Sequence, residues 1–214
     1  QVDMAFVLRL ISKEITQILL ESEKKLIEDY EKIPVILLFI GVNGSGKTTL
    51  LRTINTLDSP DNYITAEIDG FDLKSDPEEI RSRIGYLSHN PPFYPELTGV
   101  ENLKLWLELN SIDDAESTAR NFLAQVGLIS FSDDLSGNYS RGMIQRLGFA
   151  MAISHSPTVL LLDEPFTGLD AKGIEILEEL LIKYSKDGCS IVLVSHQTPS
   201  YSTRTIKLER GEIV

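Results

Sequence analysis

Cysteine is nearly absent: Cys189 is the single one in 214 residues, so no internal disulfide can form. With no secretory signal in view either, the sequence is expected to belong to a reducing interior. Cys189 itself reads as a small residue at a strand edge rather than a nucleophile. No apolar run comes near the roughly 20 residues needed to cross a bilayer, so the chain is expected to be soluble. Basic residues are outnumbered, 20 Lys and Arg against 32 Asp and Glu, and the resulting net charge of -12 argues against broad binding to nucleic acid or acidic lipid, though not against a small basic pocket. Internal repeats and low-complexity segments are also missing. The first residue is Gln1 rather than Met, as expected of a trimmed or engineered chain. What is plentiful is apolar side chain, 42% of residues, enough for one substantial core over 1–214 but cramped for two domains.

The richest stretch is Gly41-Val42-Asn43-Gly44-Ser45-Gly46-Lys47-Thr48, which fits the phosphate-loop pattern G-x-x-x-x-G-K-[ST]. Six apolar residues, Val35 to Ile40, lead into it as a strand buried on both faces would, and Thr49 to Ile54 can supply the helix that must follow. Such a loop turns backbone N–H groups toward phosphate oxygens at a helix's positive end. Lys47 reinforces the attraction and Thr48 is placed to ligate magnesium. Gly41, Asn43, Gly44, Ser45, Gly46, Lys47, Thr48 and Thr49 form the expected nucleotide-contacting set.

Elsewhere the chain alternates. Leu8, Ile11, Ile15, Ile18, Leu19 and Leu26 recur at helical spacing, so 1–33 is expected to be an amphipathic helical segment packed on a core and ended by Pro34. Ile64 to Phe71 reads as a β-hairpin, Asp76-Pro77 as the N-cap and first residue of a short helix, and Ile84 to Leu87 as a strand. Pro91, Pro92 and Pro95 make 88–98 a loop. Two helical patterns follow, Val100 to Leu107 and Ala115 to Val126, with Trp106 as packing and Gly127 as terminator. Together with Ser140, which can N-cap a further helix through Met151, they define an inserted helical lobe over 89–140. Strands at 159–162 and 191–194 flank a helix at 172–184 with Ile174, Leu177 and Leu181 inward, and a hairpin closes the chain. The fold class is therefore α/β, a mainly parallel sheet with helices on both faces and ligands at the strand C-terminal ends.

One such end decides the chemistry. Leu160 to Leu162 emerge into Asp163-Glu164-Pro165, where Asp163 can hold magnesium and Glu164, one residue on, can act as base toward a water facing the terminal phosphate. Ser140 and Gly142 open a second anion-binding helix end far along the chain from the phosphate loop.

Asn138 to Leu147, followed by Asp163-Glu164-Pro165-Phe166-Thr167-Gly168-Leu169-Asp170, resembles the ATPase subunit of ABC transporters of the haem-exporter and drug-export type. The likeness runs from about residue 47 to the C-terminus. Tyr139-Ser140-Arg141-Gly142-Met143 resembles the signature sequence, Thr167 to Asp170 the D-loop and Val194-Ser195-His196 the switch histidine. The resemblance implies a P-loop NTPase that binds ATP and Mg2+ between two chains, each offering Ser140 and Gly142 to the other's nucleotide. A second ATPase subunit, identical or not, and a membrane permease are the implied partners, at the cytoplasmic membrane face. His196 would contact the γ-phosphate, and without the resemblance it is simply a core or surface histidine. Asp170 would join the two sites. His89 stands where the family usually carries a magnesium-sensing glutamine. His155 matches no motif and reads as structural.

Residues 1–33 do not resemble the usual opening of that family, two antiparallel strands with an adenine-stacking aromatic. The helix pattern and Ile33 to Gly44 are instead similar to signal-recognition-particle receptor GTPases, although no guanine-reading Asn/Thr-Lys-x-Asp follows. Tyr30, on the helix, is no adenine stacker. Two origins fit: a chimera, with a GTPase-derived N-terminus on an ABC body, is expected ahead of the alternative, an ABC subunit with a divergent N-terminus, and in the chimera the 64–71 hairpin would be left with an open edge. The chain's function would be ATP hydrolysis or, as the alternative, that of a folded scaffold that binds nucleotide with little transport-coupled activity.

Overall fold

The computed structural model describes residues 36–41, 44–58, 67–195, 201–202, 204–209 and 212–213. The 1–33 segment, Asn43 and His196 lie outside the described residues, as does the first part of the expected 64–71 hairpin.

Among the described residues, six strands form one sheet. In order across it stand β4 (Ile84–Leu87), β5 (Val159–Asp163), β6 (Ser190–Val194), β1 (Ile36–Ile40), β7 (Arg204–Glu209) and β8 (Glu212–Ile213). Every neighbouring pair is parallel except β7 with β8, the closing hairpin. The continuous apolar runs have a geometric cause. Successive side chains of a strand point to opposite faces, and here each face carries its own core. Ile36 and Leu38 join Leu160, Leu162, Ile191 and Leu193 on one face, while Leu37 and Phe39 join Leu161, Val192, Val194 and Ile206 on the other.

The second face is covered by α1 (Lys47–Ile54) through Leu50, Leu51 and Ile54, and by α2 (Pro77–Arg83) through Ile80. A small hairpin, β2 (Glu67–Ile68) with β3 (Phe71–Asp72), lies beside α2, and Arg83 stacks 4.2 Å over the Phe71 ring. Asp76 occupies the N-cap position of α2 as expected, but its carboxylate turns back to accept from the Asp72 N–H at 3.0 Å instead of capping the helix. The tight turn at 72–76 wins because Ser75 Oγ donates to the same oxygen.

The first face is covered by α5 (Arg141–Ile153) and α6 (Ala171–Lys186), with α3 (Gly99–Leu109) and α4 (Ala115–Gln125) beyond α5. Thr98 and Glu101 close a reciprocal capping box that starts α3. Gly127, at φ 70°, follows the last turn of α4 as the left-handed terminator expected there. On α6, Leu177, Leu180 and Leu181 are buried and Ile174 only half so, which moves the inward stripe slightly from the expected one. Trp106 packs against this larger core, and Cys189 is buried just ahead of β6. Among the described residues no helix is long and apolar enough to cross a membrane.

Candidate functional site

The carboxyl ends of β1 and β5 lie on the same side of the parallel sheet, separated by β6. From β1 the chain turns through Gly41 and Gly44 to Gly46 and enters α1. Gly44 and Gly46 adopt φ of 80° and 98°, a left-handed backbone that a side chain would strain. Gly41 is required for a different reason: a Cβ there would stand 2.2 Å from the Leu208 carbonyl oxygen of β7. Where the loop leaves β1, β7 therefore passes too close for any side chain at position 41.

Lys47, the first residue of α1, is buried, and its Nζ donates back to the Gly41 carbonyl at 2.8 Å. Ser45 Oγ lies 3.4 Å from the same ammonium. The lysine thus closes the loop on itself and keeps its charge at the positive end of α1. Thr48 and Thr49 are exposed at that end.

Thr48 Oγ1 donates to Asp163 Oδ2 at 2.8 Å. Asp163 is almost fully buried as the last residue of β5. A hydroxyl and a buried carboxylate beside a cationic phosphate loop fit a magnesium ion, which takes one or two protein oxygens and fills its remaining positions from phosphate and water. Tyr86, on the neighbouring strand β4, feels this carboxylate. Burial pushes its hydroxyl up to about 12, and the Asp163 charge adds to the effect.

Glu164 follows in a left-handed conformation, φ 53°, which costs a residue with a side chain about 1–3 kcal/mol and is held only by its surroundings. Two fasteners hold its backbone. Its N–H donates to the Val194 carbonyl at 2.9 Å, and the buried Gln145 donates from Nε2 to its carbonyl at 3.4 Å. Gln145 falls inside the Asn138 to Leu147 stretch but carries no expected role; a polar residue on the otherwise apolar face of α5 is the signal for it.

Ser140 caps α5, its Oγ accepting from the Met143 N–H at 3.2 Å. Gly142 is pressed against the turn after β5, where a Cβ would meet the Gly168 carbonyl oxygen at 2.7 Å. Asp170 caps α6 through the Gly173 N–H at 2.8 Å. His89 is exposed, with Nε2 3.3 Å from Arg141 Nη2, a contact that sequence did not suggest. His155 is structural, its Nε2 3.0 Å from the Ile84 carbonyl oxygen. The geometry therefore gathers Gly41, Gly44, Ser45, Gly46, Lys47 and Thr48 with Asp163. Ser140, Gly142 and Asp170 sit on helix starts along α5 and α6.

The family model for ABC transporters matches residues 34–167. The chain belongs to the ABC transporter family. Within it, the chain is an ATP-binding ATPase domain. It is 36% identical over 178 residues to the ABC transporter ATP-binding protein YdbJ of Bacillus subtilis, 81% of this chain and 57% of that protein. It is 37% identical over 161 residues to the cytochrome c biogenesis ATP-binding export protein CcmA of Shewanella frigidimarina, covering 75% of this chain and 73% of CcmA. Among solved structures, the ATP-binding cassette MJ0796, a dimer bound to ADP and Pi, superposes with a TM-score of 0.77 at 29% identity, covering 86% of this chain and 85% of that one. The family match begins ahead of the phosphate loop, so residues 34–47, read above as GTPase-like, fall inside the ABC stretch. A recombined origin has no support in these matches.

Proposed function

We propose that this ABC domain binds Mg2+ with ATP at the phosphate loop and hydrolyses it in a two-chain sandwich that drives a membrane permease from the cytoplasmic face. The observation that carries the reading is the meeting of Lys47, Thr48 and Asp163 at the sheet's mouth. Lys47 and the N–H groups opening α1 hold the phosphates. Thr48 and Asp163 would hold magnesium, which neutralises phosphate charge when bound. Glu164, one residue beyond, takes the proton of the attacking water, and His196 orients that water against the γ-phosphate. Ser140 and Gly142 meet the nucleotide of the second subunit, Asp170 joins the two sites across the interface, and His89 links the nucleotide to the lobe at 89–140. The similar cassette solved as a dimer with ADP and Pi supports the two-chain arrangement.

Replacing Glu164→Gln tests it. Binding survives and hydrolysis stops, so the variant should run as a dimer on size-exclusion chromatography with ATP and magnesium, and as a monomer without. Elution unchanged by ATP, with no nucleotide uptake by the unmutated chain in calorimetry, would end the proposal.

A further inference from the structure

Arg141 opens α5 and touches two turns at once. Its aliphatic stem lies on Gly168, where a Cβ would stand 2.9 Å from Arg141 Cγ and 3.0 Å from Cδ, and where φ is +80°. Its guanidinium reaches Nε2 of His89 at 3.3 Å. Arginine has only donors, so in a hydrogen bond between them Arg141 donates and Nε2 of His89 accepts. His89 lies two residues past the end of β4 and Gly168 five past the end of β5, and those strands are parallel neighbours. One side chain therefore spans the loops leaving two adjacent strand ends. The same helix face continues the contact, with Gly142 under the Gly168 carbonyl and Gln145 on the carbonyl of Glu164.

We propose that Arg141 is a positioning residue: its stem and its charged head brace the Gly168 turn and the His89 turn to the start of α5, so that the three segments move as one body. The division of labour follows from the side chain, whose methylenes pack on apolar surface while the head makes the polar contact. Resting on the function proposed above, the brace ties the face that meets a chain's own nucleotide, at His89, to the face offered to the second subunit, at Ser140 and Asp170. A change at one nucleotide would then be felt at the other without any backbone link between the loops.

The test uses the whole chain and Arg141→Met, which keeps the stem and deletes the head, with Arg141→Lys as the conservative rescue. Amide hydrogen exchange over 86–93 and 164–172 reads the brace whether or not the chain turns over ATP. Arg141→Met should speed exchange in 86–93 about tenfold, and Arg141→Lys should restore most of the protection. His89→Leu should reproduce the effect, and the double variant should be no worse than either single one. In hydrolysis, Arg141→Met should lower kcat about tenfold with the KM for ATP little changed. Exchange unchanged in Arg141→Met, or full additivity in the double variant, overturns the brace. Failure of the unmutated chain to hydrolyse ATP would instead sink the function proposed above, and exchange alone would decide the brace.

Discussion

Thr48 Oγ1 donates to Asp163 Oδ2 at 2.8 Å, joining the first turn of α1 to the end of β5 across 115 residues of chain. Neither residue can be placed for this contact by its own neighbourhood. The parallel sheet brings the β1 loop and the β5 end to one side, and the bond reports how closely. Asp163→Asn keeps an acceptor for Thr48 but loses the charge that a divalent cation needs. The expected outcome is a folded protein whose magnesium-dependent ATP hydrolysis falls on the order of 10²-fold, read in a coupled phosphate-release assay. An unchanged rate at saturating magnesium would remove Asp163 from the site.

Gly41 and Gly44 should fail differently. At Gly41 an added methyl meets the Leu208 carbonyl at 2.2 Å, and relieving that overlap must part β1 from β7, for about 1–3 kcal/mol. At Gly44 nothing lies within 4 Å, so the cost of alanine is only the left-handed backbone, about 1–2 kcal/mol. Urea unfolding should rank Gly41→Ala below Gly44→Ala in stability, with both below the parent. The reverse order would mean that β7 yields easily at this point.

His155 makes the fold sensitive to acid. Burial pushes its ionisation down, opposed by the contact with the Ile84 carbonyl, and its Nδ1 has no hydrogen-bond partner among the described residues. In the unfolded chain the imidazole takes a proton near its ordinary value of 6.5 that the folded chain refuses. Its contribution to stability is thus present above that value and is lost as pH falls below it, by at most about 1.4 kcal/mol per pH unit. The slope of urea midpoint against pH between about 7 and 5 should flatten in His155→Gln, which can keep the donor but cannot titrate. An identical slope in the variant would exclude His155 as the source.

The thiol of Cys189 should be silent in the folded protein. Burial pushes it up to about 12, and it is covered by the larger core. Iodoacetamide at pH 8 should label it only after urea unfolding, as mass spectrometry would show. Rapid labelling under native conditions would mean that α6 and β6 part readily.

Much of this was legible without coordinates. The apolar runs 35–40, 159–162 and 191–194 could be read as buried strands because both faces of the sheet carry a core, which leaves no polar alternation to confuse the pattern. The phosphate loop and the carboxylates after β5 were legible for a related reason: each is a local arrangement in which glycine, lysine or adjacent acids are demanded within a few residues. The Asp76 carboxylate shows the limit. Its sequence is a fair cap, yet a turn formed by Asp72 and Ser75 claims the same oxygen.

The sequence by itself determined the strands, the glycine-rich turn between β1 and α1 and the carboxylates after β5, because those depend on side-chain period and on backbone freedom over short spans. Only the tertiary structure decided that Gly41 must be bare against Leu208, that Gln145 holds the carbonyl of Glu164 and that Arg141 spans His89 and Gly168. Those contacts join residues far apart in the chain, 19 positions for Gln145 and Glu164 and more for the others, and what sets them is the order in which the strands lie and the seating of α5 across their ends.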